Sequence, residues 1–257
     1  MHAGKYFLPG LFLPRFSIFP SILQLIVMPM NLKQLFTFLI TCTLIFAGNA
    51  SAMTMLRSNQ TLILFGKVVP EDSQQFRKKL EEGPVKTVVM TESPGGNMRA
   101  AYDIAELITE GKINTAVNGN CKSACALIFM AGTERQMVAS KHLEKTRLGF
   151  HAPHNKVTKE ISTAAIPHFR EWLLKVTQGK FPEEVLDRAL NIERAGDMLY
   201  FYYPDENFLG DIRFCTEGAL RCEALKGYNI VKIGILTTAE LLKLESLDDT
   251  DQAAAKP

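Results

Sequence analysis

Twice in this chain a short β-branched run, a glycine turn and a helix-spaced apolar run follow one another. That repetition constrains the fold more than any other feature. Val85-Lys86-Thr87-Val88-Val89-Met90 predicts a buried strand, and Met98 to Ile108 carries apolar residues at helical spacing. Between them, Glu92-Ser93-Pro94-Gly95-Gly96-Asn97 lets the backbone turn sharply and present N–H groups at a helix N-terminus. The second unit runs from a strand at Ile113 to Val117, through a turn at Gly119, to an apolar helix from Ala124 to Met130. Its connection is Gly119-Asn120-Cys121-Lys122-Ser123-Ala124-Cys125. Strand–helix alternation of this kind predicts an α/β fold with parallel strands and crossover helices. Ser123 falls on the first turn of the second helix, where a small nucleophile sits exposed beside free N–H groups. On position alone the helix cap, a role Ser performs well, is the stronger reading, and the preceding Ser-Pro-Gly-Gly and following His151 turn the balance toward a nucleophile.

Ser-Pro-Gly-Gly, then Gly-x-x-x-Ser-Ala, then a strand ending in His151, resembles the proteolytic subunit of the Clp protease within the Clp/crotonase superfamily. The Cys-x-Ser-Ala-Cys variant, with a signal peptide ahead of it, is most similar to secreted bacterial relatives. The resemblance spans roughly Thr61 to Thr238 and implies a Clp/crotonase-like fold of stacked β-β-α units. It also implies a serine hydrolase, most naturally a peptidase acting on peptide or protein substrates. No cofactor is implied, and trimers, hexamers or heptameric rings are the usual assemblies of such folds, so a homo-oligomer is a possible state.

Amide or ester hydrolysis by Ser needs a base within reach, an orienting acceptor and an oxyanion hole. Ser123 is the candidate nucleophile. His151, 28 residues later at a strand end, is the candidate base, with His154 as the fallback. His142 and His168 read as loop and helix-surface residues. The backbone N–H groups of Gly96 and Ala124 are the candidate oxyanion hole. Gly96 must be small for the backbone to approach a substrate carbonyl. The resemblance places an acid after the His, at the start of an aromatic-flanked segment. Asp197, 46 residues after His151 and just before Met198-Leu199-Tyr200, fits it. Asp205 is the alternative, and a Ser–His dyad with no acid is a third arrangement, because the Tyr-Phe-Tyr-Tyr run is longer than the family's connection. Lys122 and Lys141 raise a Ser–Lys dyad, but Lys122 adjoins Ser123 directly and is expected to point elsewhere on the helix start.

Elsewhere, Leu62 to Gly66 predicts a strand and Asp72 to Leu80 a helix with Phe76 and Leu80 on one face. Arg135 to Ala139 and Arg147 to Phe150 predict two short strands joined by a polar loop. Lys159 to Gln178 predicts a long helix that Pro167 kinks or restarts. A further helix starts near Pro182 and runs to about Glu193, and Ile230 to Leu236 predicts a last strand.

At 47% hydrophobic and 22% charged residues, the chain can bury a full core, and its length suits one domain plus extensions. Three of the 29 basic residues and none of the 27 acidic ones precede Met53, which leaves the rest near neutral and gives no electrostatic case for nucleic acid. Residues 30–52 read as a secretory signal: a positive start at Lys33, an apolar core from Leu35 to Ala47, and a small-x-small cleavage site at Ala50-Ser51-Ala52. The alternative is an uncleaved membrane anchor, for which the run is short. A complete signal beginning at Met30 makes residues 1–29 a start-site extension, or a membrane-associated segment if retained. The expected organisation is then 1–29 extension, 30–52 signal, 53–245 Clp protease-like domain and 246–257 disordered tail. The expected place is periplasmic or secreted, with membrane anchoring by the N-terminal segment as the alternative.

Cys42 leaves with the signal, and four Cys remain, an even set that predicts disulfides in an exported chain. Cys215–Cys222 closes a small loop. Cys121 and Cys125, four apart on a helix, lie within disulfide range, or are simply two small buried apolar residues. No Cys-x-x-Cys occurs and no His stands at finger spacing, so no metal site is expected. Two rival functions remain open. One is a non-catalytic module of the same fold that binds an extended peptide at a strand edge. The other is a crotonase-like acyl-thioester enzyme, which export disfavours.

Overall fold

The computed structural model describes residues 52–244, except 156, 157, 159, 193, 195, 205–211, 217 and 218. The expected start-site extension, nearly all of the signal, the tail and Asp205 lie outside the described residues.

Nine strands form one mixed sheet among the described residues: β1 (Thr54–Ser58), β2 (Thr61–Phe65), β3 (Thr87–Ser93), β4 (Asn114–Lys122), β5 (Arg135–Met137), β6 (Arg147–Phe150), β7 (Met198–Tyr202), β8 (Ile212–Thr216) and β9 (Arg221–Ala224). The order is β1-β2-β3-β4-β6-β7-β8-β9, with β5 also paired to β4. The helices are α1 (Asp72–Glu81), α2 (Met98–Glu110), α3 (Ala124–Met130), α4 (Ile166–Val176) and α5 (Glu183–Leu190). Strands β2, β3 and β4 are parallel, as are β4–β5 and β4–β6. Helices α1 and α2 are the crossovers that make this possible. From β6 onward the sheet turns antiparallel.

The α/β alternation expected around the two glycine turns is present. Helix α2 buries Ala100, Ala101, Ile104, Ala105 and Ile108 on one face, and Asn97 caps it by accepting the Ala100 N–H at 2.9 Å. All seven residues of α3 are buried. A helix apolar on every side belongs at the centre of a core, and there it ties β4 to the site.

Several elements differ from the sequence expectation. Strand β4 does not stop at Val117. It continues to Lys122 because β3 bulges between Thr91 and Ser93 and pairing resumes at Ser93↔Cys121. Gly119, expected as a turn, sits inside the strand at φ +82, where a Cβ would meet the Glu92 carboxylate at 2.1 Å. That carboxylate accepts from the Asn120 N–H and Nδ2, so the bulge is held by a side chain. The long helix shortens to α4, with Pro167 in its first turn, where its missing N–H costs nothing.

Ile230 to Leu236 is not a strand but a succession of turns. Asn229 Oδ1 accepts from the Val231 and Lys232 N–H groups, Gly234 takes φ +79, and the buried Arg135 guanidinium donates to the Gly132, Gly234 and Ile235 carbonyls. Within the run the Gly234 N–H donates to Val231 O and the Ile235 and Leu236 N–H groups donate to Ile230 O, and Ile230, Ile233, Ile235 and Leu236 are buried, so the apolar run is a core anchor folded on itself and tied down by side chains.

Candidate active site

The Ser93-Pro94-Gly95-Gly96 turn and the end of β4 fit together with no room for a side chain. A Cβ on Gly95 (φ +82) would lie 2.4 Å from the Lys122 carbonyl and 2.8 Å from Ala124 N. One on Gly96 (φ +150) would lie 2.1 Å from the Val68 carbonyl. Val68 pairs with this turn through Val68 N–H to Gly95 O and Asn97 N–H to Val68 O, both 2.9 Å. The N–H groups of Gly96 and Ala124 enter no backbone hydrogen bond among the described residues.

Ser123 joins β4 to α3 at φ 54, ψ −122, a conformation costly for a residue with a Cβ. Its N–H donates to Gly149 O at 2.8 Å, which pins the strained residue to β6. Its side chain makes no capping hydrogen bond. The helix-cap role open from sequence is therefore not what Ser123 does. Cys121 and Cys125 form a disulfide across it, with Cα atoms 5.3 Å apart. Cys121 lies on β4 and Cys125 on α3, so the bridge links strand to helix. The four-apart helical geometry expected for the pair does not apply.

Ser123 and His151 both line a cavity of about 670 Å³, together with Gly96 and Ala124. Lys67, Lys122 and His154 line it as well, amid Met98, Leu127, Phe150, Phe169, Met198 and Tyr200. Lys122 is thus one of the residues of the cavity wall. As the last residue of β4 it shares a cross-strand row with Gly149 and Tyr200, and its Cγ would lie 3.1 Å from a Cβ on Gly149. Lys141 is exposed and does not line the cavity. His142 pairs with Glu144 in an exposed loop, and His168 is an exposed α4 residue edge-on to Tyr102, as expected.

His151 immediately follows β6. Its ring stacks on His154 at 5.1 Å between centroids, and the two Nδ1 atoms lie 3.0 Å apart. His154 Nδ1 is also 2.6 Å from the Ala152 carbonyl. A carbonyl only accepts, so His154 carries its proton on Nδ1, and His151 Nδ1 faces that N–H as an acceptor. Neutral His151 then bears its proton on Nε2. Burial, with the charge of His154 second, pushes the His151 pKa down to about 4, partly opposed by a backbone hydrogen bond at Ala152. At neutral pH the ring is thus uncharged and has one nitrogen without hydrogen, as a base requires, although in this arrangement that nitrogen is Nδ1 and it faces His154.

Asp197 is buried, donates its N–H to Arg194 O at 2.9 Å, and stands between Gly196 and Met198, which both line the cavity. Pairing of Phe150 with Leu199 brings the residue after β6 and the residue before β7 to the same end of the sheet. Sequence reasoning did not give Lys67 a place in the site. No local motif marks it, since it reaches the cavity only because Val68 docks on the Gly95–Gly96 turn.

The family profile for the Clp protease matches residues 49–178. The chain belongs to the Clp protease family. No curated protein matches it. Among solved structures it is similar to a point mutant of ClpP1 from Listeria monocytogenes, at 15% identity and TM-score 0.46, covering 74% of this chain and 93% of that one. It is also similar to a point mutant of the 1510-N membrane-bound stomatin-specific protease, at 13% identity and TM-score 0.45, covering 77% of this chain and 85% of that one. ClpP1 from Listeria monocytogenes itself gives 17% identity and TM-score 0.42, covering 74% and 94% respectively. Membership in the Clp protease family carries a serine peptidase reading at the level of the family, and the mixed α/β sheet is the fold that goes with it.

Proposed function

We propose that the chain is an exported serine peptidase. Ser123 Oγ attacks the scissile carbonyl carbon while its proton passes to His151 Nε2, and the Gly96 and Ala124 N–H groups hold the oxyanion. The leaving amine takes the proton from His151, and water, deprotonated in turn by His151, releases the acyl group from Ser123. For this His151 must hold its proton on Nδ1, so the contact with His154 has to loosen when substrate binds. We assign the acceptance of that Nδ1–H to Asp197, a reading supported by its position at the same end of the sheet as His151. The substrates are peptides or proteins of the cell envelope, the setting is periplasmic, and the chain works as a homo-oligomer.

The observation that carries the reading is the strained, uncapped Ser123 between two unspent N–H groups in one cavity with a neutral His151. Labelling of the protein with a fluorophosphonate, beside Ser123→Ala and His151→Ala, tests it. Wild type labels and both variants fail if the reading holds. A folded, oxidised wild type that stays unlabelled sinks it. The His151–His154 contact favours a second reading, a peptide-binding module with the same cavity. That module binds peptide with the same affinity in wild type and Ser123→Ala and never labels.

A further inference from the structure

Asp72 is a fully buried carboxylate with no basic side chain at ion-pair distance among the described residues. Its Oδ2 accepts the Val69 N–H at 2.7 Å, and its Oδ1 accepts the backbone N–H of Met53 at 3.2 Å. Burial raises its pKa, and the two backbone N–H groups only partly offset that. A buried carboxylate held by amides alone is costly unless a positive charge is supplied. Met53 is the residue that follows Ala50-Ser51-Ala52, the small-x-small site at which the signal reading expects cleavage.

We infer that Asp72 is the receptor for a new N-terminus. Hydrolysis of the Ala52–Met53 peptide bond by a signal-type endopeptidase places water oxygen on the Ala52 carboxylate and leaves an α-amine on Met53, which takes up a proton. The backbone nitrogen already at 3.2 Å from Asp72 Oδ1 becomes an ammonium, and the amide contact becomes a charge-assisted one. The consequence reaches the candidate site. Asp72 holds Val69, and the preceding Val68 pairs with Gly95 and Asn97 on either side of Gly96. Processing thereby tightens the turn that presents the oxyanion donor.

This rests on the export reading, and the experiment separates it from the peptidase reading. One protein is prepared from a fusion cut to leave Met53 first, and another retains Ser51-Ala52 ahead of it. An α-amine ordinarily titrates near 7.7–8.0, and a carboxylate partner raises that value. The stabilisation is therefore full below about pH 7.7 and is lost as pH rises through the raised value. The Met53-first protein is expected to melt about 5 °C higher than the extended one at pH 6. The gap closes toward pH 10 and is absent in Asp72→Asn. By NMR the Met53 amine titrates above 8.0, a readout that stands even if Asp72→Asn fails to fold. Equal melting of the two forms, or an amine titrating at its ordinary value, overturns the inference. Fluorophosphonate labelling is read on the same samples. Labelling without a melting difference removes the ion pair alone, and a melting difference without labelling removes the peptidase reading alone.

Discussion

At the residue scale the site depends on two glycines and one histidine. Gly95→Ala and Gly96→Ala each force a Cβ onto backbone carbonyls, at 2.4 Å from Lys122 O and 2.1 Å from Val68 O, neither of which is a flexible side-chain end. Each is expected to cost about 2–4 kcal/mol in urea unfolding and to abolish labelling. Gly83, at φ +151 with nothing near its Cβ position, is the control for backbone strain alone, and its Ala variant is expected to lose only about 1 kcal/mol. His151 sets the pH behaviour. Its pKa lies at about 4 in the folded chain against an ordinary 6.5, so folding favours the neutral form. The stability this brings is full above pH 6.5 and is lost as pH falls toward 4, to a limit of about 3 kcal/mol. The acid limb of kcat/KM is accordingly expected near pH 4. In His154→Ala, where a like charge and part of the burial are removed, the limb moves up toward 6.5.

At the scale of elements, the two disulfides separate stability from chemistry. Each closes a short loop, and loop-closure entropy gives each about 2 kcal/mol. Cys121–Cys125 straddles Ser123, whereas Cys215–Cys222 joins β8 to β9. Replacing either pair by Ala is expected to lower stability by a similar amount in urea unfolding. Only Cys121→Ala/Cys125→Ala slows labelling of Ser123, by roughly tenfold or more, because a loosened elbow misplaces the attacking oxygen. Equal labelling by both paired variants would show that the strand-to-helix bridge does not position the nucleophile. The same elements show what the sequence made legible. Strand β3, helix α2 and helix α3 were readable because each pairs a local period with a glycine turn. Strand β7 was not, since Met198, Tyr200 and Tyr202 cover one face and Leu199 and Phe201 the other, leaving no alternation to see. The end of β4 was hidden because Glu92, a residue on another strand, carries Gly119 through the irregularity. The 230–236 run misled for the converse reason: its isoleucines are buried, but backbone bonds within the run to the Ile230 and Val231 carbonyls fold it into turns, and Arg135, about a hundred positions earlier, takes the Gly234 and Ile235 carbonyls.

At the scale of the whole molecule, charge is unevenly placed. The chain carries a net charge of only +2, yet the cavity beside the neutral His151 is lined by Lys67 and Lys122 and by no Asp or Glu among the described residues. Neither lysine forms an ion pair among the described residues. Low-dielectric walls from Met98, Leu127, Phe150 and Phe169 focus that positive potential into the space where a peptide would lie. A peptide with Asp or Glu beside the scissile bond is therefore expected to be preferred over its Asn or Gln counterpart by roughly tenfold in kcat/KM at low salt. Binding of the same pair to Ser123→Ala, by fluorescence anisotropy, reads the preference apart from turnover. Lys67→Gln with Lys122→Gln abolishes the preference while leaving the neutral peptide unchanged, because neither lysine supplies the proton transfer or the oxyanion donors. Raising salt to 1 M, where screening acts over about 3 Å, brings wild type toward the double variant. Equal affinity for the acidic and neutral peptides at low salt would mean that the lysine ammonium groups lie in solvent beyond the bound chain, with only their alkyl stems forming the wall.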